Sequence, residues 1–364
     1  MITEMRGTPL MSYADAVDRT WRDNILFAAL IELTYRCNLN CSFCYNDTKL
    51  QGVPLATDEY VRFFEDLRDL GTMNLTLSGG EPLAHPEFFL LGRTARDLGF
   101  LVRVKTNGHA LRGKLAQRML DEVDPFVIEV SLHGATAAVH DRQTRVAGSF
   151  DRLIPNLRAA SRLGLRIKLN APLTLWNEHE VEAMFALADD LGVRIDVDPE
   201  ITGRDDGDMS PQDIGPTRHG IARLLDILQR RADALAKARP SRPKTTRESP
   251  RSATSSAEQK VCGAGSSSVT VDPFGNVYPC VQWRRRIGNL HDKSIKAMWN
   301  HSAELTEIRR LAVAAKKTVD ALDTPGFGYC PGSAEKEVGQ ATKLYPVARL
   351  LLELQQRAAT KASG

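Results

Sequence analysis

From residue 27 onward, short apolar runs alternate with amphipathic stretches, and the alternation repeats six times. The runs at 27–34, 73–78, 101–106, 126–132, 165–170 and 193–197 are short and bounded by turn residues, which predicts strands. Between them, apolar positions at helical spacing predict helices near 58–70, 86–98, 111–123, 150–163 and 178–191. Four of these helices run into a Leu-Gly pair, at Leu70-Gly71, Leu98-Gly99, Leu163-Gly164 and Leu191-Gly192, where glycine takes the left-handed conformation that stops a helix. Strand and helix in strict alternation imply a parallel sheet with right-handed crossovers. Six units are too few for a closed eight-stranded barrel, so the expected class is α/β with an open, partial (β/α)6 TIM-like barrel.

The pattern breaks after Pro199. A polar stretch at 202–216 leads to a helix expected over 217–235. Residues 239–260 are rich in Ser, Thr, Pro, Arg and Lys and nearly devoid of large apolar side chains, which predicts a flexible tether. Short strands and turns return from Val261, and a helix near 345–360 closes the chain. The expected divisions are an N-terminal extension (1–26), the barrel (27–200), a bridging helix and linker (201–260), a small α+β module (261–340) and a C-terminal helix (341–364).

Composition narrows the setting. The 364 residues carry 48 Lys and Arg against 45 Asp and Glu, a net charge of +3, which gives no strong field for nucleic acid. No run approaches the ~18 apolar residues of a membrane span, and the first residues lack the pattern of a secretory signal. The expected location is cytoplasmic. In that compartment six cysteines point to metal or catalytic thiols before a disulfide framework.

Three of them, Cys37, Cys41 and Cys44, stand directly after the first predicted strand, at the end of a parallel barrel whose loops carry chemistry. Three thiolates fill three corners of a cubane cluster and leave the fourth iron open to a chelating ligand. A structural zinc wants four ligands, and Asp47 is the one close further donor. Ser78-Gly79-Gly80-Glu81-Pro82 follows the second strand, Lys105-Thr106-Asn107-Gly108 the third and Ser131-Leu132-His133-Gly134 the fourth. Glycines let backbone approach a ligand closely, and a carboxylate accepts charge-assisted hydrogen bonds from an ammonium.

In this order the motifs resemble the radical S-adenosylmethionine (radical SAM) superfamily, whose signature is Cys-x3-Cys-x2-Cys after the first barrel strand. The resemblance implies a 4Fe-4S cluster on Cys37, Cys41 and Cys44 that reductively cleaves S-adenosylmethionine to methionine and a 5′-deoxyadenosyl radical, which abstracts a hydrogen atom from substrate. It implies cofactor contacts at Tyr45, Gly79, Gly80, Glu81, Thr106, Asn107 and Ser131, and further ones at Asn170 and Val197. Arg142, or Arg145 in its place, is expected to pair with the cofactor carboxylate.

Cys262 is followed by twelve residues, Gly275, four residues and Cys280, and the intervening sequence reads as two strands joined by a turn. With Gly288-Asn289-Leu290 and Met298-Trp299 beyond it, this stretch resembles the auxiliary-cluster modules called SPASM and twitch domains. A full SPASM module carries seven cysteines, whereas Cys262, Cys280 and Cys330 imply at most one auxiliary 4Fe-4S cluster. A zinc site or a metal-free module is the alternative there. The family resemblance implies an oxidoreductase of the maturase type that oxidatively modifies a ribosomally made precursor peptide by crosslinking, cleavage or related chemistry. Residues before Phe27 are too few for a leader-binding domain, so recognition is expected to need a separate leader-peptide recognition protein or a direct contact, beside a reductant such as flavodoxin or ferredoxin. The alternatives are a radical SAM dehydrogenase or tetrapyrrole- or small-molecule-modifying enzyme and, outside enzymology, an iron-sulfur or zinc protein that regulates or transfers electrons.

Overall fold

The computed structural model describes residues 12–238 and 259–363, so nearly all of the predicted tether at 239–260 lies outside the described residues. The six predicted strands are present as β1 (Ala28–Glu32), β2 (Asn74–Ser78), β3 (Leu101–Thr106), β4 (Val127–Ser131), β5 (Ile167–Pro172) and β6 (Arg194–Asp198). They lie side by side in chain order and every neighbouring pair is parallel.

A helix α1 (Tyr13–Asp23) precedes β1, and α2 (Thr57–Asp69), α3 (Phe88–Asp97), α4 (Gly113–Arg118), α5 (Ala137–Thr144), α6 (Ser149–Arg162) and α7 (Val181–Asp190) connect the strands. Gly71, Gly99, Gly164 and Gly192 all have positive φ, so the four Leu-Gly pairs end α2, α3, α6 and α7 as expected. Helices α1 and α5 have no counterpart among the expected elements. Ser12 and Asp15 cap α1 reciprocally, and the Thr136 hydroxyl caps α5.

Alternation along the strands sorts the two faces of the sheet. Leu75, Leu77, Val104, Ile128, Val130 and Leu169 are fully buried and pack with Phe64, Leu91, Leu157 and Met184 of the helices. Each such side chain contributes roughly 1.5–3 kcal/mol by leaving water. The opposite face, inside the half-barrel, carries Glu32, Thr76, Ser78, Arg103, Lys105, Glu129, Lys168 and Asn170. A lining this polar leaves the inside as a place for ligands, where a closed barrel would hold an apolar core.

After β6 come α8 (Arg218–Ala238) and the expected hairpin, β7 (Ser268–Val271) and β8 (Asn276–Tyr278), followed by β9 (Gly288–Asn289). Strand β7 pairs in parallel with β1, Ala28 opposite Ser268 and Ile31 opposite Val271. The module therefore continues the barrel sheet, in the order β6-β5-β4-β3-β2-β1-β7-β8-β9. Helices α9 (Ile295–His301), α10 (Ala303–Asp320), α11 (Pro331–Val338) and α12 (Pro346–Ser363) complete the described chain. None of the described helices is long and apolar enough to cross a membrane.

Candidate active site

The cysteine loop leaves β1 and is held from beneath by α5. Asn40 N donates to Thr144 O at 3.1 Å and Ser42 N to Gln143 O at 3.0 Å, while the Phe43 ring lies 4.8 Å from the His133 ring. Cys44 N donates to Cys41 O at 3.2 Å, and the Cys37 sulfur accepts from Leu39 N at 3.4 Å. Burial pushes the Cys41 thiol up to about 12, and the neighbouring Cys44 and Cys37 add to the effect. Three neighbouring thiols, two of them half-buried, become thiolates together only beside a strong positive charge. Among the described residues no three His, Cys, Asp or Glu side chains converge on the position of a single ion. A cubane that takes one thiolate at each of three irons needs no such point, so this donor set fits a 4Fe-4S cluster with one open iron.

The second loop is bonded to the first. Gly80 N donates to Thr34 O at 2.6 Å and Glu81 N to Arg36 O at 2.9 Å. Gly79 has φ +138°, and a Cβ there would collide with the Thr34 carbonyl; one on Gly80 would stand 2.6 Å from Arg36 O. What these glycines admit is the backbone of residues 34–36. The buried Glu81 carboxylate accepts from Thr106 Oγ1 at 2.7 Å, Asn107 N at 2.8 Å and Leu83 N at 3.1 Å. Burial pushes its carboxyl up, and those donors oppose the rise. Asn107 Nδ2 donates to Asn38 Oδ1 at 2.7 Å and lies 3.9 Å from the Cys37 sulfur. Asn46 Nδ2 donates to Gly79 O at 3.4 Å, and its buried Oδ1 has no partner. An orphaned acceptor beside the glycine turn suits a ligand with a hydrogen-bond donor, as an ammonium is.

Cys37, Gly79, Gly80, Glu81, Thr106 and Asn107 are thus one hydrogen-bonded set. Ser131 and Asn170 stand opposite each other on β4 and β5, and Asn170 Nδ2 donates to Glu129 Oε2 at 2.8 Å. Val197 packs against the apolar core. Arg142 stacks over Trp176 at 4.2 Å, and the arginine that reaches the cysteine loop is Arg145, whose Nε donates to Ser42 Oγ at 3.1 Å.

Cys262, Cys280 and Cys330 come from the turn before β7, the end of β8 and the start of α11. Burial pushes the Cys262 thiol up to about 12, with the nearby Cys280 and Cys330 adding to it. Near them in the chain, Ser266 Oγ, Gln282 Oε1, Trp283 Nε1 and Ser333 Oγ are buried without a partner. Buried orphans are uncommon in native folds. The hydroxyl and indole donors among them suit the sulfurs of a cluster, so this site also fits its group.

Between the two sites lie charged residues that no sequence motif marks, joined to Tyr45, which was expected at the cofactor. Arg284 grips both oxygens of the fully buried Glu32, Nη2 to Oε1 at 2.7 Å and Nη1 to Oε2 at 3.1 Å. Its Nε lies 2.8 Å from Asp205 Oδ2, and Asp205 Oδ1 lies 2.9 Å from Lys336 Nζ. Tyr35 and Tyr45 hydroxyls donate to Glu32 at 3.1 and 3.4 Å. The one hint in the sequence is a glutamate inside the apolar run of β1.

Sequence comparison matches residues 31–188 to the Radical SAM superfamily and residues 262–322 to the SPASM family, an iron-sulfur cluster-binding domain. The protein is an enzyme with a radical SAM domain and, C-terminal to it, a SPASM domain. Its cofactors are S-adenosylmethionine with a 4Fe-4S cluster and an auxiliary iron-sulfur cluster. Among curated proteins it is similar to the AdoMet-dependent heme synthase of Methanosarcina barkeri, 27% identical over 76% of this chain and 83% of that protein. It is 29% identical to the mycofactocin maturase MftC of Mycobacterium tuberculosis, over 76% of this chain and 71% of the maturase. To the PqqA peptide cyclase of Ruegeria pomeroyi it is 34% identical, over 46% of this chain and 45% of the cyclase. Among solved structures, anSMEcpe with bound AdoMet and Cp18Cys peptide shares the fold at a TM-score of 0.67 and 18% identity, covering 92% of this chain and 97% of that one. Streptococcus suis SuiB bound to S-adenosylmethionine does so at 0.63 and 15% identity, covering 79% and 68%.

Proposed function

We propose that this radical SAM SPASM enzyme oxidatively modifies a ribosomally made precursor peptide. The observation that carries the reading is the pairing of β7 with β1, which joins the cluster-binding module to the strand from which the cysteine loop departs, so that both sites belong to one sheet. When bound, the cofactors supply a 5′-deoxyadenosyl radical at one site and an electron acceptor at the other. The chain's own residues have the remaining tasks. Cys37, Cys41 and Cys44 hold the first cluster; the Gly79–Glu81 turn, Asn46, Thr106 and Asn107 orient S-adenosylmethionine; Arg145 takes the place expected of Arg142 near its carboxylate. Cys262, Cys280 and Cys330 hold the auxiliary cluster.

A peptide substrate is supported by relatives named as a peptide cyclase, a mycofactocin maturase and the subtilosin biosynthesis protein AlbA of Bacillus subtilis. A reductant such as a flavodoxin or ferredoxin and a separate leader-binding protein complete the proposed set of partners. The similarity to a heme synthase over most of both chains favours a second reading, a tetrapyrrole substrate. Anaerobic turnover with a genomically adjacent precursor peptide, read by mass spectrometry, separates the two. Loss of a hydrogen pair from the peptide, with deuterium from a labelled residue appearing in 5′-deoxyadenosine, is the expected result. An unchanged peptide beside a converted porphyrin overturns it.

A further inference from the structure

Between the two cysteine sites runs a chain of alternating charges, Glu32, Arg284, Asp205 and Lys336. Their side chains are 0%, 12%, 8% and 14% exposed, so water screens them little. The order of the charges along the line between the sites is not symmetric. Glu32 and Asp205 are each tied to Tyr45, the residue after Cys44: the Tyr45 hydroxyl donates to the Glu32 carboxylate at 3.4 Å, and the Tyr45 carbonyl accepts from the Asp205 backbone N at 2.8 Å. Arg284 instead belongs to the turn at Cys280, closed by Trp283 N donating to Cys280 O at 3.1 Å, and its guanidinium lies 5.0 Å from the Tyr278 ring. The two carboxylates are thus tied to the residue after Cys44, and the guanidinium that pairs with them to the turn after Cys280.

Burial works against the charge on Arg284 itself, but Glu32 and Asp205 outweigh it and hold the guanidinium firmly protonated.

We propose that Glu32, Asp205 and Arg284 form an electrostatic bias between the two cluster sites, the carboxylates lowering the reduction potential at Cys37, Cys41 and Cys44 and the guanidinium raising it at Cys262, Cys280 and Cys330. These are positioning residues, since they act through the cluster ligands. The inference rests on the reading that the three distal cysteines hold the auxiliary cluster. A low potential at the first site favours transfer of an electron into S-adenosylmethionine. A higher one at the second draws the single electron that a substrate radical gives up, with loss of a proton, when it becomes oxidised product. The bidentate fork on Glu32 also fixes the module to β1, so the same contact sets the distance between the sites and the direction of the field.

The test is an anaerobic redox titration of the reconstituted full-length enzyme, followed by electron paramagnetic resonance, for wild type, Glu32→Gln, Arg284→Met and Arg284→Lys. Glu32→Gln removes a negative charge and shifts potentials upward, more at the barrel cluster. Arg284→Met removes a positive charge and shifts them downward, more at the auxiliary cluster, while Arg284→Lys stays near wild type. Shifts of opposite sign are the signature of charge, because simple loosening of the interface moves both variants the same way. Shifts of equal sign, or none, overturn the proposal. Should Arg284→Met fail to load its clusters, the upward shift in Glu32→Gln decides alone, its absence overturning the proposal. A wild type that holds only about four irons refutes the auxiliary assignment itself, and the bias with it, before any variant is measured.

Discussion

Gly80 N donates to the Thr34 carbonyl at 2.6 Å, so the turn after β2 is bonded to the chain where the cysteine loop departs from β1. The contact requires two residues without side chains in succession, one of them at φ +138°. Gly79→Ala should therefore displace the loop that carries Cys37. Its cost combines backbone strain of ~1–3 kcal/mol with overpacking of similar size. The expected outcome is a lower melting temperature and poor retention of iron at the first site, measured by thermal unfolding and iron analysis on one sample.

The distal cysteines should be separable from radical formation. A Cys262→Ala, Cys280→Ala double variant is expected to fall from about eight irons to about four, because each cubane is held by its own thiolates. It should still release 5′-deoxyadenosine, since the barrel site keeps its three ligands, and should yield no modified product. Because β7 is part of the barrel sheet, circular dichroism on the same sample checks that the loss is not unfolding.

Stability should fall on mild acidification through His140. This ring is buried, and its Nδ1 accepts a hydrogen bond from His133 N at 3.1 Å, so the fold requires the neutral form. Burial lowers its pKa to about 4, with Asp141 opposing. A folded pKa below the ordinary ~6.5 means that the contribution is complete above that value and is lost as pH falls toward about 4, ~3 kcal/mol in all and ~1 kcal/mol by about pH 5.5. Unfolding followed between about pH 7.5 and 5.5 should show a smaller loss in His140→Asn, whose amide oxygen replaces the acceptor. Equal losses in both proteins would remove His140 as the cause.

The barrel strands and the helices ending at Gly71, Gly99, Gly164 and Gly192 were legible because their signals are local: period, length and a glycine stop. The pairing of β7 with β1 was not, since two strands far apart in the chain leave no mark of their partnership in either one. Arg284 was hidden for a related reason. It is one of three successive arginines, and nothing in 284–286 says which is turned inward onto Glu32. The choice between Arg142 and Arg145 likewise depends on the left-handed conformation of Arg145 at the end of α5, φ 56°, which the tertiary structure imposes. The cysteine spacing and the Gly79–Glu81 turn stand out in the sequence because their chemistry constrains residue type and spacing together.

The account stands most directly on what Cys37, Cys41 and Cys44 do. The reconstituted protein, reduced anaerobically with S-adenosylmethionine, should release 5′-deoxyadenosine and methionine in equal amounts, and Cys41→Ala should release none above background while retaining the distal cluster. Release of 5′-deoxyadenosine by Cys41→Ala at the wild-type rate would contradict the account.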